Sequence, residues 1–148
     1  QRVVGLHFFN PPPLIPLIEV VPAATTDQEV VDAVCAFAES LGKTPITVPN
    51  RPGFIVNRLL FAMIAEALRI VDEGGTSAQD VDRALCLGAS HPIGPLALAD
   101  FIGLDVALDI LESLASGLGA RYAPSSALRE RVSQGHLGRK TGRGFFSY

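Results

Sequence analysis

The chain has 148 residues, room for one domain or slightly more, and 48% of them are hydrophobic. Its formal net charge of −3 argues against a nucleic-acid surface, and its apolar runs are too short to cross a membrane. The two cysteines, Cys35 and Cys86, lie in apolar helix-like segments, as expected for reduced thiols in a cytoplasmic protein; no Cys/His cluster has the spacing of a metal site.

Two apolar runs near the start of the chain, residues 3–9 and 14–21, flank a proline-rich turn. Within these runs, residues 3–9 and 17–21 are β-branched and apolar on both faces and predict buried strands. If the runs lie side by side, His7 of the first can meet Glu19 of the second. A carboxylate that fixes the imidazole tautomer and stabilises the imidazolium makes histidine a general base. A structural histidine beside an apolar strand is the alternative at this point.

A helix and a short strand follow. Thr26, with Glu29 three residues later, predicts a capping box at the start of the helix. An apolar helical face then runs as far as Gly42, which suits the left-handed position after a helix end. Residues 46–48 predict a short edge strand. The first fifty residues therefore predict a small α/β part.

From residues 50–53 onward, the apolar period changes to 3.6 and stays there. Residues 55–71 predict a long, strongly apolar helix that ends at the glycine pair 74–75. Ser77, with Asp80 three residues on, predicts the cap of a short helix. The remainder is therefore predicted to be all-helical and apolar enough to pack against a partner.

The last helices have their own start and stop signals. Gly94 and Pro95 predict a helix start, and Gly103 predicts an interruption. Asp105 is expected to cap the next helix, and the final helix is predicted to begin at Pro124–Ser125. The basic tail around Lys140 is interpreted as a solvated or partner-contacting segment, with contact to the phosphate groups of a ligand as the alternative.

Four longer motifs occur in the order typical of one enzyme family. They are H-F-F-N-P at 7–11, P-G-F-I-V-N-R-L-L at 52–60, H-P-I-G-P-L-A-L-A-D-F-I-G-L-D at 91–105 and R-K-T-G-R-G-F-F-S-Y at 139–148. On these motifs the whole chain resembles the C-terminal portion of the 3-hydroxyacyl-CoA dehydrogenases, of the 3-hydroxybutyryl-CoA dehydrogenase type. The resemblance implies a mainly α chain: residues 1–50 as the end of an NAD-binding Rossmann domain, and residues 51–148 as a helical domain that closes over substrate and dimerises.

The resemblance also implies site residues and a reaction. His7 matches the catalytic base and Glu19 the carboxylate that orients it, while Asn57 and Asn10 match polar residues that bind substrate. The implied reaction is the NAD-dependent oxidation of an (S)-3-hydroxyacyl-CoA to the 3-oxoacyl-CoA, as in fatty-acid β-oxidation. The implied partners are acyl-CoA and a second copy of the chain, with neither nucleic acid nor membrane.

The chain contains no G-x-G-x-x-G sequence, so no nucleotide-binding residue can be assigned. We expect NAD to be bound mainly by a preceding domain, and the 148-residue chain to be inactive by itself. Two alternatives remain open from the sequence. One is a related dehydrogenase of a free hydroxy acid or sugar acid, and the other is a helical dimerisation module with a partial active site.

Overall fold

The computed structural model describes residues 2–148, which form two compact units; the first ends at Ile55 and the second is Val56–Tyr148. The first unit contains β1 (Val4–Phe8), β2 (Leu17–Pro22), α1 (Gln28–Ser40) and β3 (Thr44–Thr47). The second contains α2 (Val56–Asp72), α3 (Ala78–Gly88), α4 (Pro95–Ile102), α5 (Leu104–Leu118) and α6 (Ser126–Ser133), with 3-10 turns at Ala120–Tyr122 and Arg139–Thr141. The predicted class, mainly α with a short α/β part, is confirmed.

The sheet of the first unit has the order β1-β2-β3. β1 pairs antiparallel with β2, and β2 pairs parallel with β3 after the α1 crossover. Only the central strand is buried, with Ile18 and Val20 at 1% and 0% exposure. The prediction that both strands are buried on both faces is wrong for β1. This strand is at the edge of the described sheet, and Phe8 is 42% exposed.

The start of α1 also differs from the prediction. The N-cap is Asp27, one residue later than expected, so the predicted capping box is not formed. The Thr26 hydroxyl is used elsewhere: it accepts from the Ala23 N–H at 2.9 Å and donates to the Val3 carbonyl. Thr26 therefore ties the segment before α1 to the residue before β1. The end of the helix is as predicted, because Gly42 follows the C-cap with φ +72°.

The second unit has its own core. Apolar side chains spaced three and four residues apart along α2 pack against residues of α4 and α5. The members with 1% exposure or less include Phe61, Ile64, Leu68, Leu96, Leu104, Leu111 and Leu114. None of the helices found in residues 2–148 combines the length and apolarity needed to cross a bilayer.

Most helix starts in the second unit follow the predicted signals. The Ser77 hydroxyl accepts from the Asp80 N–H, and Ser125 caps α6 through the Leu128 N–H. The cap predicted at Asp105 is wrong, because Gly103, with φ +105°, is the N-cap of α5. Asp105 lies in the first turn instead, where its carboxylate accepts from the Lys140 ammonium at 2.5 and 2.6 Å.

Two buried aspartates with long-range partners were not anticipated from the sequence. Asp82 of α3 accepts from the first N–H groups of α4, those of Leu96 and Ala97, at 2.8 Å each. Burial raises the pKa of the Asp82 carboxyl, and these two hydrogen bonds oppose the rise. Asp100 of α4 accepts from the C-terminal tail. In both cases a buried carboxylate supplies acceptors for backbone N–H groups that backbone pairing leaves unsatisfied.

Candidate active site

The antiparallel register of β1 and β2 places His7 directly opposite Glu19. Opposed residues in a sheet project to the same face, so the two side chains can meet. Nδ1 of His7 and Oε2 of Glu19 are 2.7 Å apart. A carboxylate in this pair only accepts, so the hydrogen lies on Nδ1 and the neutral imidazole keeps its lone pair on Nε2. The pair predicted from the sequence is thus brought together in the geometry that a general base needs.

The two members of the pair differ sharply in exposure. The Glu19 side chain is 1% exposed, whereas 28% of the His7 side chain remains accessible. A buried carboxylate requires partners for its charge. Besides His7, the Ile55 N–H donates to Oε1 of Glu19 at 2.9 Å. The anion is held inside the unit and the imidazole reaches towards the surface, where a substrate can contact it.

Two aromatic rings border the imidazole. The centroid of Phe9 is 4.6 Å from that of His7 at an interplanar angle of 61°, and that of Phe54 is 5.4 Å away at 57°. The Phe9 ring meets the imidazole in an edge-type arrangement, and the Phe54 ring is tilted against it. The rings restrict the tilt of the imidazole while Glu19 restricts its tautomer.

The other two predicted residues have different positions. Asn10 follows β1 and is exposed, three residues along the chain from His7. The loop that comes next is held by the Lys43 ammonium, which donates to three of its carbonyls: Pro12 at 2.6 Å, Ile15 at 2.9 Å and Pro13 at 3.3 Å. Asn57 is the second residue of α2, half-buried, and belongs to the second unit.

Sequence reasoning missed four contributors to this site, the Phe9 ring among them. The Ile55 N–H and the Phe54 ring lie in the P-G-F-I-V-N motif. Their contacts depend on the left-handed conformation of Phe54, which a phenylalanine does not predict. Lys43 lies in the turn between α1 and β3, and its three carbonyl partners come from a loop about thirty residues earlier. The signal for Lys43 in the sequence is the run of prolines. Prolines have carbonyl groups but no N–H group, so their loop has acceptors that need a donor from elsewhere in the chain.

The residues present do not fit a dinucleotide's pyrophosphate. Such a group binds at a glycine-rich turn before a helix N-terminus. Within the described part of the first unit, α1 begins instead at Asp27, with Glu29 in its first turn. Two carboxylates repel a phosphate. No group of three or more His, Cys, Asp or Glu side chains among residues 2–148 is arranged to hold a metal ion. What the described residues do bring together is an imidazole and a buried carboxylate.

Comparison with known proteins gives consistent matches along the chain. Residues 53–148 match the family described as 3-hydroxyacyl-CoA dehydrogenase, C-terminal domain, and residues 1–51 match its NAD binding domain. The chain is 50% identical to the probable 3-hydroxybutyryl-CoA dehydrogenase of Bacillus subtilis, over 100% of this chain and 52% of that protein. These matches confirm the resemblance that the motifs predicted.

Solved structures agree. The (S)-3-hydroxybutyryl-CoA dehydrogenase of Ralstonia eutropha is similar at a TM-score of 0.94 and 48% identity, covering 98% of this chain and 52% of that one. The 3-hydroxybutyryl-CoA dehydrogenase of Escherichia coli K12 is similar at 0.95 and 41%, covering 99% and 32%. The chain spans about half the length of the curated relatives it matches.

Proposed function

The chain belongs to the 3-hydroxyacyl-CoA dehydrogenase family, and from this premise we propose that it forms the C-terminal part of an enzyme that oxidises (S)-3-hydroxyacyl-CoA to 3-oxoacyl-CoA with NAD. The observation that carries the proposal is the hydrogen bond of 2.7 Å between His7 and the buried Glu19. It leaves an accessible imidazole nitrogen ready to accept a proton.

The proposed step at this chain's residues is a proton transfer. Nε2 of His7 accepts the proton of the substrate's 3-hydroxyl group, and Glu19 stabilises the imidazolium that forms. In the reverse direction the imidazolium returns the proton to the forming alcohol. NAD, when bound, supplies the acceptor for the hydride that leaves C3. Because the anion beside the imidazole is fixed, little reorganisation accompanies the charge that develops on His7.

We assign substrate contacts to Asn10 and Asn57 on the family resemblance. A side-chain amide can donate to a carbonyl oxygen and accept from a hydroxyl, so either residue suits the polar end of a 3-hydroxyacyl thioester. The exposure of Asn10 supports access to a ligand. The relatives described above are named for 3-hydroxybutyryl-CoA, which favours a short acyl chain.

We also propose that the helical residues 51–148 dimerise, as the resemblance implies. Large apolar side chains of the second unit remain exposed in the single chain, among them Leu87 at 73%, Leu59 at 68% and Phe101 at 55%. Apolar surface of this kind is typical of a protein–protein interface.

The proposed function is tested in a fusion of this chain with the remainder of the B. subtilis relative, assayed by the appearance of NADH from (S)-3-hydroxybutyryl-CoA. We expect His7→Gln to lower kcat by about 10²–10⁴-fold, because the reaction loses its general base. His136→Gln, a histidine of the C-terminal tail, is the matched control and should leave kcat unchanged. The unfused chain should show no turnover. A His7→Gln fusion as active as its parent would refute the base assignment.

A further inference from the structure

Phe54 has a backbone conformation that bulky residues rarely adopt. Its φ is +46°, and it follows Gly53 at +76°. Glycine accepts the left-handed region without penalty, whereas a side chain with a Cβ is strained there. The turn is closed by a hydrogen bond of 3.0 Å from the Phe54 N–H to the Arg51 carbonyl. A turn that only reversed the chain would be easier to form with glycine or asparagine at this position.

The turn directs a main-chain donor at the buried carboxylate. Immediately after Phe54, the Ile55 N–H donates to Oε1 of Glu19 at 2.9 Å, while Oε2 of Glu19 meets Nδ1 of His7 at 2.7 Å. Each carboxylate oxygen is therefore engaged by a different group, and rotation of the carboxylate would break both bonds. All four residues belong to the first unit.

The side chain of Phe54 gives a reason for keeping phenylalanine in a strained conformation. Its ring lies 5.4 Å from the imidazole of His7, centroid to centroid. Backbone and side chain thus act on the same pair from two directions: the turn holds Glu19, and the ring borders His7. Strained backbone of this kind concentrates at functional sites, where surrounding contacts stabilise it.

We infer that Phe54 is a positioning residue for the base: its left-handed turn aims the Ile55 N–H at Glu19, and its ring limits rotation of the His7 imidazole away from Glu19, which holds it in the Nδ1–H tautomer. The importance of this role for the reaction rests on the proposed function of His7. The effect on the tautomer does not, and it can be measured on the 148-residue chain without cofactor or substrate.

The test is the tautomeric state of His7, read from long-range ¹H–¹⁵N correlation spectra at a pH where the imidazoles are neutral. The chain has three histidines, so His91 and His136 serve as internal references. We expect a single Nδ1–H tautomer for His7 in the parent chain. Phe54→Leu should give a mixture of tautomers and make the Ile55 amide exchange with solvent about tenfold faster or more.

Three further variants make the result decisive. Phe8→Leu is the matched control, because Phe8 neighbours His7 but projects to the other face of β1. It should leave His7 unchanged, and Phe54→Tyr should preserve the parent spectrum. Phe54→Gly relaxes the backbone but removes the ring, so it should also lose the single tautomer, and it serves where Phe54→Leu does not fold.

Two outcomes would overturn the inference: a single Nδ1–H tautomer with an equally protected Ile55 amide in Phe54→Leu or Phe54→Gly, or an equal disturbance of His7 by Phe8→Leu. The proposed function fails separately, through a His7→Gln fusion that turns over normally. If the Phe54 variants change the tautomer but the His7→Gln fusion turns over normally, Phe54 positions His7 and His7 is not the catalytic base.

Discussion

Glu19 shows how one side chain can serve both the fold and the proposed chemistry. Its carboxylate is 1% exposed, in the central strand of the sheet, where an unpaired charge would strongly destabilise the unit. The imidazole of His7 and the Ile55 N–H both bind it. The partners that make the buried charge tolerable are the same contacts that fix the imidazole. The stability of the first unit and the proposed reactivity of His7 therefore share these contacts.

Asp105 gives a pH-dependent prediction at the scale of one ion pair. The hydrogen bond from Lys140 is the main cause that lowers the pKa of the Asp105 carboxyl from its ordinary value of 3.8. A lowered pKa in the folded state means that the pair's stabilisation is present above pH 3.8 and is lost as the pH falls through the lower folded pKa. Both side chains are more than a third exposed, so the effect is small.

We therefore expect Asp105→Asn to lower the free energy of unfolding by about 0.2–1 kcal/mol at neutral pH. The difference from the parent should shrink below pH 3.8 and in high salt. Urea unfolding across this range measures it, and a double-mutant cycle with Lys140→Met isolates the pair. A penalty that stays constant into acid would mean that the carboxylate contributes through something other than its charge.

At the scale of elements, Asp100 fastens the C-terminal tail to α4. Its Oδ1 accepts from the Phe145 N–H and its Oδ2 from the Phe146 N–H, each at 2.9 Å. The Tyr148 hydroxyl donates to the same Oδ2 at 3.1 Å. The tail passes so close that a Cβ added to Gly144 would lie 2.0 Å from Oδ1. Only a glycine leaves room for the carboxylate here. This explains why the 91–105 motif has an aspartate at position 100 and the 139–148 motif a glycine at position 144.

Removing this carboxylate should destabilise the second unit. We expect Asp100→Ala to lower the free energy of unfolding by about 2–4 kcal/mol, because buried N–H groups of the tail lose their acceptors. Asp100→Asn keeps one acceptor oxygen and should lose about half of that amount. The control is Asp109→Asn on the exposed face of α5, and urea unfolding is the measurement. An Asp100→Ala chain as stable as the control would show that water replaces the carboxylate.

The elements predicted well from the sequence are those whose signals are local. Ser77 and Ser125 cap helices through N–H groups three residues away, and Pro95 begins α4 directly after Gly94. A residue type, a short spacing and the backbone geometry are sufficient at these points. The same holds for Gly42, whose left-handed conformation ends α1.

What the sequence did not predict depends on partners far along the chain. Asp100 receives its donors from residues 45 to 48 positions later, so its burial cannot be read from its neighbours. The Lys140 partner of Asp105, 35 residues later in the chain, was not predictable for the same reason. At the candidate site, His7 and Glu19 were predictable because strand pairing has a period of two. The Ile55 N–H donor was not predictable, because it depends on a left-handed backbone conformation at Phe54.

At the scale of the molecule, the boundary between the two matched domains lies close in sequence to the boundary between the two compact units. The NAD binding domain match ends at residue 51, the C-terminal domain match begins at 53, and the second unit begins at Val56. The first unit carries the His7–Glu19 pair and the second carries a helical core with exposed apolar side chains. The proposed proton transfer and the proposed association are thus assigned to different parts of the chain, and each can be tested without altering the other.

Association is the prediction that belongs to the whole molecule. A helical unit of about 100 residues has limited interior volume, and Leu59 and Leu87 remain 68% and 73% exposed. We expect a symmetric dimer with an apolar interface of roughly 2,000 Å² or more, formed by residues after Arg51. Sedimentation at micromolar concentration should report a dimer, and Leu59→Glu or Leu87→Glu should shift it towards monomer, because the interface would then bury a charge.

Leu14→Glu, at a leucine of the first unit that is 78% exposed, makes the same change and should leave the dimer intact. A monomeric parent chain would exclude the dimer, and a dimer that resists both helical variants but dissociates with Leu14→Glu would move the interface to the first unit.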